Sequence, residues 1–215
     1  MKKIDLIMFD LDGTLVDSSD NIVNSVNFTL QDLGVSPKSK EEIISYVGTG
    51  SIDLIRKSLG EGSGVSLAEA LPAFKDRYRQ CANSNSRLYP NVKTTLEYFK
   101  DKFKVIITNG NQDIAAGVVS RLGIGDYFVD IIGAHEEKEC VKPSACGAQE
   151  IMNKLGIDKE KAIIVGDMDV DILTGKNAGV ITCAVTYGIG KKEDIVKSQP
   201  DFIIDDIRDL AKIIN

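Results

Sequence analysis

The feature that most constrains this chain is a short apolar run that ends in two carboxylates. Ile4 to Phe9, interrupted only by Asp5, suits a buried strand, and Asp10-Leu11-Asp12-Gly13 follows at once. Residues i and i+2 share a face of a strand, while Gly13 lets the backbone turn away. Asp10 is therefore expected at the strand tip and Asp12 on the turn beside it. Two acidic groups at the mouth of a buried strand repel each other, and they need a cation, a shared proton or open solvent. An isolated Asp-x-Asp-Gly also makes an ordinary turn, so the choice depends on what the other strand ends carry.

After Thr14 the apolar period changes. Ile22, Val23, Val26, Leu30 and Leu33 recur at helical spacing, with Asp17, Ser18 or Ser19 available as N-cap and Gly34 as the stop. Further helices are predicted over 41–46, 51–59 and 67 to about 83, broken at residues 47–50 and at Gly60-Glu61-Gly62-Ser63-Gly64, which reads as a flexible connector. No strand is predicted between Val16 and Arg87. From Leu88 onward strands and helices alternate. Strands are expected at 103–108, 129–132, 162–165, 180–185 and 202–204. The helices expected between and after them cover 93–101, 113–122, 144–155 (entered through Pro143), 172–178 and 207–214. Strands separated by helices imply right-handed crossovers and a parallel sheet covered on both faces. The expected fold is α/β: a doubly wound parallel sheet made of residues 1–15 and 88–215, with a small all-helical domain, residues 16–87, inserted after the first strand.

A chain of 215 residues with 43% hydrophobic residues can bury a core of that size. Its net charge of −6 argues against a nucleic-acid backbone or an anionic membrane surface as the main partner. Anionic small substrates are still open to it, because a local metal or lysine reverses the field in a pocket. No apolar run is long enough to span a bilayer, and Met1-Lys2-Lys3-Ile4 followed by Asp5 and Asp10 makes a poor signal peptide. Cys81, Cys140, Cys146 and Cys183 contain no Cys-x-x-Cys pair, and His135, in a polar stretch, is the single histidine. Reduced thiols, no zinc site and a cytoplasmic location are expected.

Ligands bind outside the carboxyl ends of parallel strands. Those ends carry Asp10 and Asp12, then Thr108 and Asn109, then Asp167 with Asp169 and Asp171, and Lys142 lies before a helix on the same rim. Each alone has an ordinary explanation as a turn, a solvated lysine or a helix cap; their joint placement suits a phosphate monoester. Hydrolysis of such esters is accelerated by enzymes up to ~10²¹-fold, roughly 29 kcal/mol of barrier, whereas a general acid supplies only about 10²–10⁴-fold. Several effects must combine. A carboxylate is ionised at neutral pH and attacks phosphorus without a base. Mg²⁺, which favours a few carboxylates, phosphate oxygens and water, would offset the repulsion between anions. Lys142 and Thr108 would hold phosphoryl oxygens.

Phe9-Asp10-Leu11-Asp12-Gly13-Thr14-Leu15-Val16-Asp17-Ser18 resembles the first motif of the haloacid dehalogenase superfamily in its phosphatase branch. Thr108-Asn109 resembles the second motif, Lys142-Pro143 the third, and Gly166-Asp167 with Asp171 the fourth. The helical insert resembles the cap of the phosphoglycolate phosphatase-like subgroup, and Leu88-Tyr89-Pro90 and Val185-Thr186-Tyr187-Gly188 in the core also resemble that subgroup. The resemblance implies a Rossmann-like core and a Mg²⁺-dependent phosphatase working through a phosphoaspartate. Asp10 would be nucleophile and metal ligand. Asp12 would bind the metal through its carbonyl and use its side chain as acid, then base. Thr108, Asn109 and Lys142 would hold the phosphoryl group; Asp167 would be a further metal ligand, supported from behind by Asp171. Gly110, Ser144-Ala145, Met168 and Asp169 depart from the usual motifs. Substrate choice is expected in the cap, at Gly48-Thr49-Gly50 and Arg56, with Arg77 and Arg79 as further candidates for a substrate carboxylate. Hinges are expected near Val16 and Arg87. The partner would be a small phosphorylated metabolite, and the protein a monomer or small homo-oligomer. The alternatives are a phosphosugar mutase of the same fold (β-phosphoglucomutase-like) and, from another class, a phosphorylation-switched regulator.

Overall fold

A computed structural model of the chain describes residues 1–134 and 140–215; the expected loop position of His135 falls outside them. In chain order the named elements are β1 (Leu6–Phe9), β2 (Val16–Asp17), α1 (Ser19–Asp32), α2 (Lys40–Ile44), α3 (Ser51–Leu59) and α4 (Leu67–Asn85). They continue with β3 (Arg87–Leu88), α5 (Val92–Tyr98), β4 (Phe103–Ile107), α6 (Gln112–Arg121), β5 (Asp130–Ile132) and α7 (Cys146–Leu155). The last are β6 (Ala162–Gly166), α8 (Asp169–Ala178), β7 (Ile181–Val185), α9 (Lys192–Lys197), β8 (Phe202–Ile204) and α10 (Leu210–Ile213).

All four residues of β1 are buried, as an uninterrupted apolar strand requires when both faces are covered. Ile7 and Phe9 face a layer containing Val92, Leu96, Ile114, Val118 and Leu210. Leu6 and Met8 face the opposite layer with Ala148, Ile151 and Met152 of α7. Six parallel strands run in the order β5-β4-β1-β6-β7-β8. From β1 the chain crosses to β4, and from β6 it crosses the other way to β7. The topological switch therefore lies between β1 and β6, and a crevice opens beyond their carboxyl ends. In-register pairing of Phe9 with Ile106 and with Val165 brings the residues that follow these strands to one level.

Helices α1 to α4 enclose a separate apolar cluster that includes Ile22, Val26, Leu30, Ile43, Ile55 and Phe74. At the two ends of this block, β2 and β3 pair antiparallel, Val16 with Leu88 and Asp17 with Arg87. The sequence shows only linkers there, because a two-residue pairing carries no period. Three further differences have local causes. Helix α7 starts at Cys146, so Pro143 sits in the preceding loop and not at a first helical position. Helix α9 was not expected: it buries only Ile195, too little for a helical stripe. Ser18 is the N-cap of α1 but its side chain makes no capping bond. Among the described residues no helix is long and apolar enough to cross a membrane.

The expectation that all four thiols are reduced is corrected. Cys140 and Cys146 form a disulfide, and Cys81 and Cys183 are free. The loop between the pair folds back at Lys142 and Pro143, which brings the two Cα atoms to 5.4 Å; spacing in sequence alone gives no sign of that reversal. Alkylation of the unfolded chain without reductant is expected to label only Cys81 and Cys183, with Cys140 and Cys146 labelled after reduction. Cys146→Ser is expected to cost about 2 kcal/mol in equilibrium unfolding, from the entropy of closing so short a loop. Labelling of all four thiols without reductant would contradict the pairing.

Candidate active site

The residues that follow β1, β4 and β6 come together on one rim of the sheet. Asp10, Thr108, Asn109, Lys142, Asp167 and Asp171 are all buried, and Asp12 is half-buried beside them. The Lys142 ammonium lies 2.5 Å from Asp10 Oδ1 and 2.6 Å from Asp171 Oδ1. The Lys142 backbone is clamped by one side chain: its N–H donates to Asn109 Oδ1 (2.7 Å) and its carbonyl accepts from Asn109 Nδ2 (3.0 Å). Asn109 Nδ2 also donates to the carbonyl of Gly48, 2.7 Å away, in the loop before α3. Thr108 Oγ1 accepts from Gly110 N at 3.0 Å.

Ligand oxygens of Asp10, Asp167 and Asp171 lie within 4.8 Å of one another. Asp171, expected only to support the cluster from behind, is itself a member and also accepts from Met168 N at 3.0 Å. Asp169 accepts from Val170 N at the start of α8 and stands outside the cluster. The Asp167 carboxylate accepts from Ile189 N (2.7 Å), Gly190 N (3.0 Å) and Thr14 Oγ1 (3.1 Å). The backbone wraps it so closely that a Cβ at Gly13, whose φ is +98°, would stand 2.3 Å from Asp167 Oδ2. Gly13 is thus required by the turn and by the contact together.

Electrostatically the site is short of positive charge. Burial drives the Asp10 carboxyl well above the ordinary carboxylate range; Lys142 opposes this, and Asp171 and Asp167 add to it. Asp167 rises to about 7, through burial first and then Asp171, against the pull of its three donors. Burial would discharge Lys142, but Asp10 and Asp171 outweigh it and hold the ammonium above its ordinary range. Three carboxylates face one ammonium, and every donor in the cluster is a hard oxygen, which suits a divalent cation such as Mg²⁺.

A cavity of about 90 Å³ opens on these groups. Its floor includes Asp10, Asp12, Thr108, Asn109, Lys142 and Asp171, and its roof Val47, Gly48, Leu54, Phe74, Lys75 and Tyr78. The Gly48 loop faces the site as expected. Arg56, Arg77 and Arg79 do not line the cavity: they pair with Asp53, Asp32 and Asp76 on the outside of the helical block. Lys75 contributes the roof's positive charge instead, and Tyr78 donates to Asp12 Oδ1 at 2.9 Å. The sequence signal for both was the helical register of α4, which places residues 74, 75 and 78 within one turn. Met168 also lines the cavity, and a Cβ at Gly48 would stand 3.0 Å from its Cε.

A family model described as haloacid dehalogenase-like hydrolase matches residues 7–185. The chain is 36% identical to the phosphoglycolate phosphatase of Vibrio parahaemolyticus, over 98% of this chain and 96% of that protein. It is 34% identical to phosphoglycolate phosphatase 1 of Pseudomonas aeruginosa, over 95% of this chain and 78% of that protein. Among solved structures, a predicted phosphoglycolate phosphatase from Haemophilus somnus superposes with a TM-score of 0.88 at 29% identity, covering 99% of both chains. A haloacid dehalogenase-like family hydrolase from Streptococcus pneumoniae gives 0.86 at 27% identity, again over 99% of both.

The raised carboxyl of Asp167 carries a linkage consequence. Between 3.8 and about 7 the folded protein keeps a proton that the unfolded chain releases, so this group's contribution to stability falls as pH rises through that window. A cation that replaces the proton is expected to restore it. Thermal melts should therefore show a larger upward shift with Mg²⁺ at about pH 7.5 than at about pH 5, where protons compete for the carboxylates. An equal shift at both pH values would count against a cation on this cluster.

Proposed function

The chain belongs to the haloacid dehalogenase-like hydrolase family, and from that premise we propose a Mg²⁺-dependent phosphoric monoester hydrolase that acts on a small metabolite, phosphoglycolate first, through a phosphoaspartate on Asp10. The observation that carries this reading is the buried meeting of Asp10 with the Lys142 ammonium on the floor of a small cavity. An ionised carboxylate there attacks phosphorus, and the ammonium that orients it also offsets phosphoryl charge.

Asp10, Asp167 and Asp171, with the carbonyl of Asp12, are the groups that would hold Mg²⁺; when bound it neutralises charge on the phosphoryl oxygens. A carboxylate oxygen of Asp10 forms the bond to phosphorus as the ester P–O bond breaks, and Asp12 gives its proton to the departing alkoxide. Water then attacks the aspartyl phosphate, Asp12 takes the proton, and phosphate leaves with Asp10 restored. Thr108 and Lys142 hold phosphoryl oxygens during both steps. Asn109 acts through Lys142, whose backbone it grips at two points. Residues 16–87 act as the cap, moving about the paired β2 and β3 and closing the roof to exclude bulk water.

Lys75 supports the choice of substrate. It is the cation that the helical block places in the roof, where a carboxylate beside the phosphate would meet it. The small relatives named phosphoglycolate phosphatase support the same choice.

Phosphate release from phosphoglycolate in the presence of Mg²⁺ is the direct assay, and Asp10→Asn is expected to abolish it. Lys75→Met is expected to raise KM for phosphoglycolate by roughly tenfold or more, the cost of losing one charged contact. Hydrolysis of p-nitrophenyl phosphate, which has no carboxylate, should be nearly unchanged in that variant. If phosphoglycolate and p-nitrophenyl phosphate lose equally, Lys75 does not read the carboxylate. If Asp10→Asn retains turnover, the phosphoaspartate fails.

A further inference from the structure

Tyr78 lies on the seam between the two apolar cores. Its ring packs against the sheet's cluster and against that of the helical block, and it stacks on Phe74 with centroids 5.7 Å apart and planes 6° off parallel. From this position its hydroxyl crosses the cavity to Asp12 and donates to Oδ1 at 2.9 Å. A carboxyl has two oxygens, and the hydroxyl selects between them. An oxygen that accepts a hydrogen bond is the poorer place for the acidic proton, so a protonated Asp12 carries it on Oδ2. Oδ2 lies towards Thr108, which is read above as holding a phosphoryl oxygen: the point where Gly110 would place a Cβ is 3.6 Å from Asp12 Oδ2 and 3.3 Å from Thr108 Oγ1. Asp12 Oδ2 and Thr108 Oγ1 thus flank one spot on the cavity floor, and Tyr78 occupies the far side of Asp12.

We infer that Tyr78 is a positioning residue for proton transfer: by occupying Asp12 Oδ1 it holds the carboxyl with its acidic proton on Oδ2, facing the leaving group. This rests on the reading of Asp12 as the acid. Because the donor sits on α4, Asp12 is oriented only when the helical block is seated over the core, so proton donation and exclusion of water arrive together. The step balances simply: the proton on Oδ2 passes to the alkoxide released as the Asp10–phosphorus bond forms, and Tyr78 keeps its own proton throughout.

Tyr78→Phe tests this, since it removes the hydroxyl and keeps the ring that stacks on Phe74. A positioned acid matters for a poor leaving group and hardly at all for a good one. On kcat/KM, which reports every step up to the phosphoaspartate, Tyr78→Phe is expected to lose roughly 10- to 100-fold with phosphoglycolate, the range of a weakened general acid. With p-nitrophenyl phosphate it should lose less than about threefold, because nitrophenolate leaves without a proton. Equal losses on both esters would mean that Tyr78 only helps the helical block to close, and no loss on either would mean that its hydroxyl is idle; each overturns the inference. Asp12→Asn, assayed on the same two esters, separates the inference from its premise. If that variant shows the leaving-group contrast and Tyr78→Phe does not, Asp12 is the acid and Tyr78 does not position it. If Asp12→Asn shows no contrast, the acid assignment fails and the inference falls with it.

Discussion

A single buried ammonium organises this site. Lys142 stands between Asp10 and Asp171 in a place where neither sign of charge is comfortable alone. Taking the lysine away would leave buried carboxylates with no counter-charge in a poorly solvated pocket, which costs several kcal/mol. The fold accordingly invests in holding the lysine still. Asn109 binds both polar groups of its peptide, the Cys140–Cys146 link closes the loop around it, and Asn177 donates to the carbonyl of the next residue, Pro143, at 2.8 Å. Even so, one cation does not neutralise Asp10, Asp167 and Asp171. The remaining oxygen donors suit the cluster to a divalent ion.

The second organising constraint is the seam where the helical block meets the sheet. Three contacts cross it at the site itself. Asn109 donates to the Gly48 carbonyl, Tyr78 donates to Asp12, and Met168 packs against Gly48, which has no side chain to keep it away. Each joins a residue that would touch the phosphoryl group, or the residue beside it, to the block that would choose the substrate. A substrate that fails to let the block seat would therefore leave Asp12 unoriented as well as exposed to water. In such an arrangement specificity and rate draw on the same contacts, as induced fit requires.

Much of this was legible along the chain because parallel α/β architecture turns sequence into position. A buried apolar strand followed by a polar residue places that residue on the rim, and Asp10, Thr108 and Asp167 all obey the rule. Helix α3 falls at Ser51–Leu59 as read, because Leu54, Ile55 and Leu59 mark one face between two glycines. The rule weakens where a group acts through space alone. The expected place of Asp171 is behind the cluster, and its offset of four from Asp167 does not reveal that the first turn of α8 swings its carboxylate onto Lys142. The cap arginines were plausible by charge, yet Asp53, Asp32 and Asp76 hold them outside, and which neighbour claims an arginine is decided by helix packing.

The sequence by itself determined the alternation of strand and helix and the residues at the ends of β1, β4 and β6, because those follow from local periodicity and from connections between successive strands. Only the tertiary structure decided that Lys75 roofs the cavity, that Tyr78 reaches Asp12 across 66 positions of chain, and that Cys140 meets Cys146. The reason is physical. Periodicity tells which face of a helix is buried, but the angle and depth at which one packed layer settles on another depend on all the side chains between them. A hydrogen bond across that seam has no signature in either partner's neighbourhood in the chain.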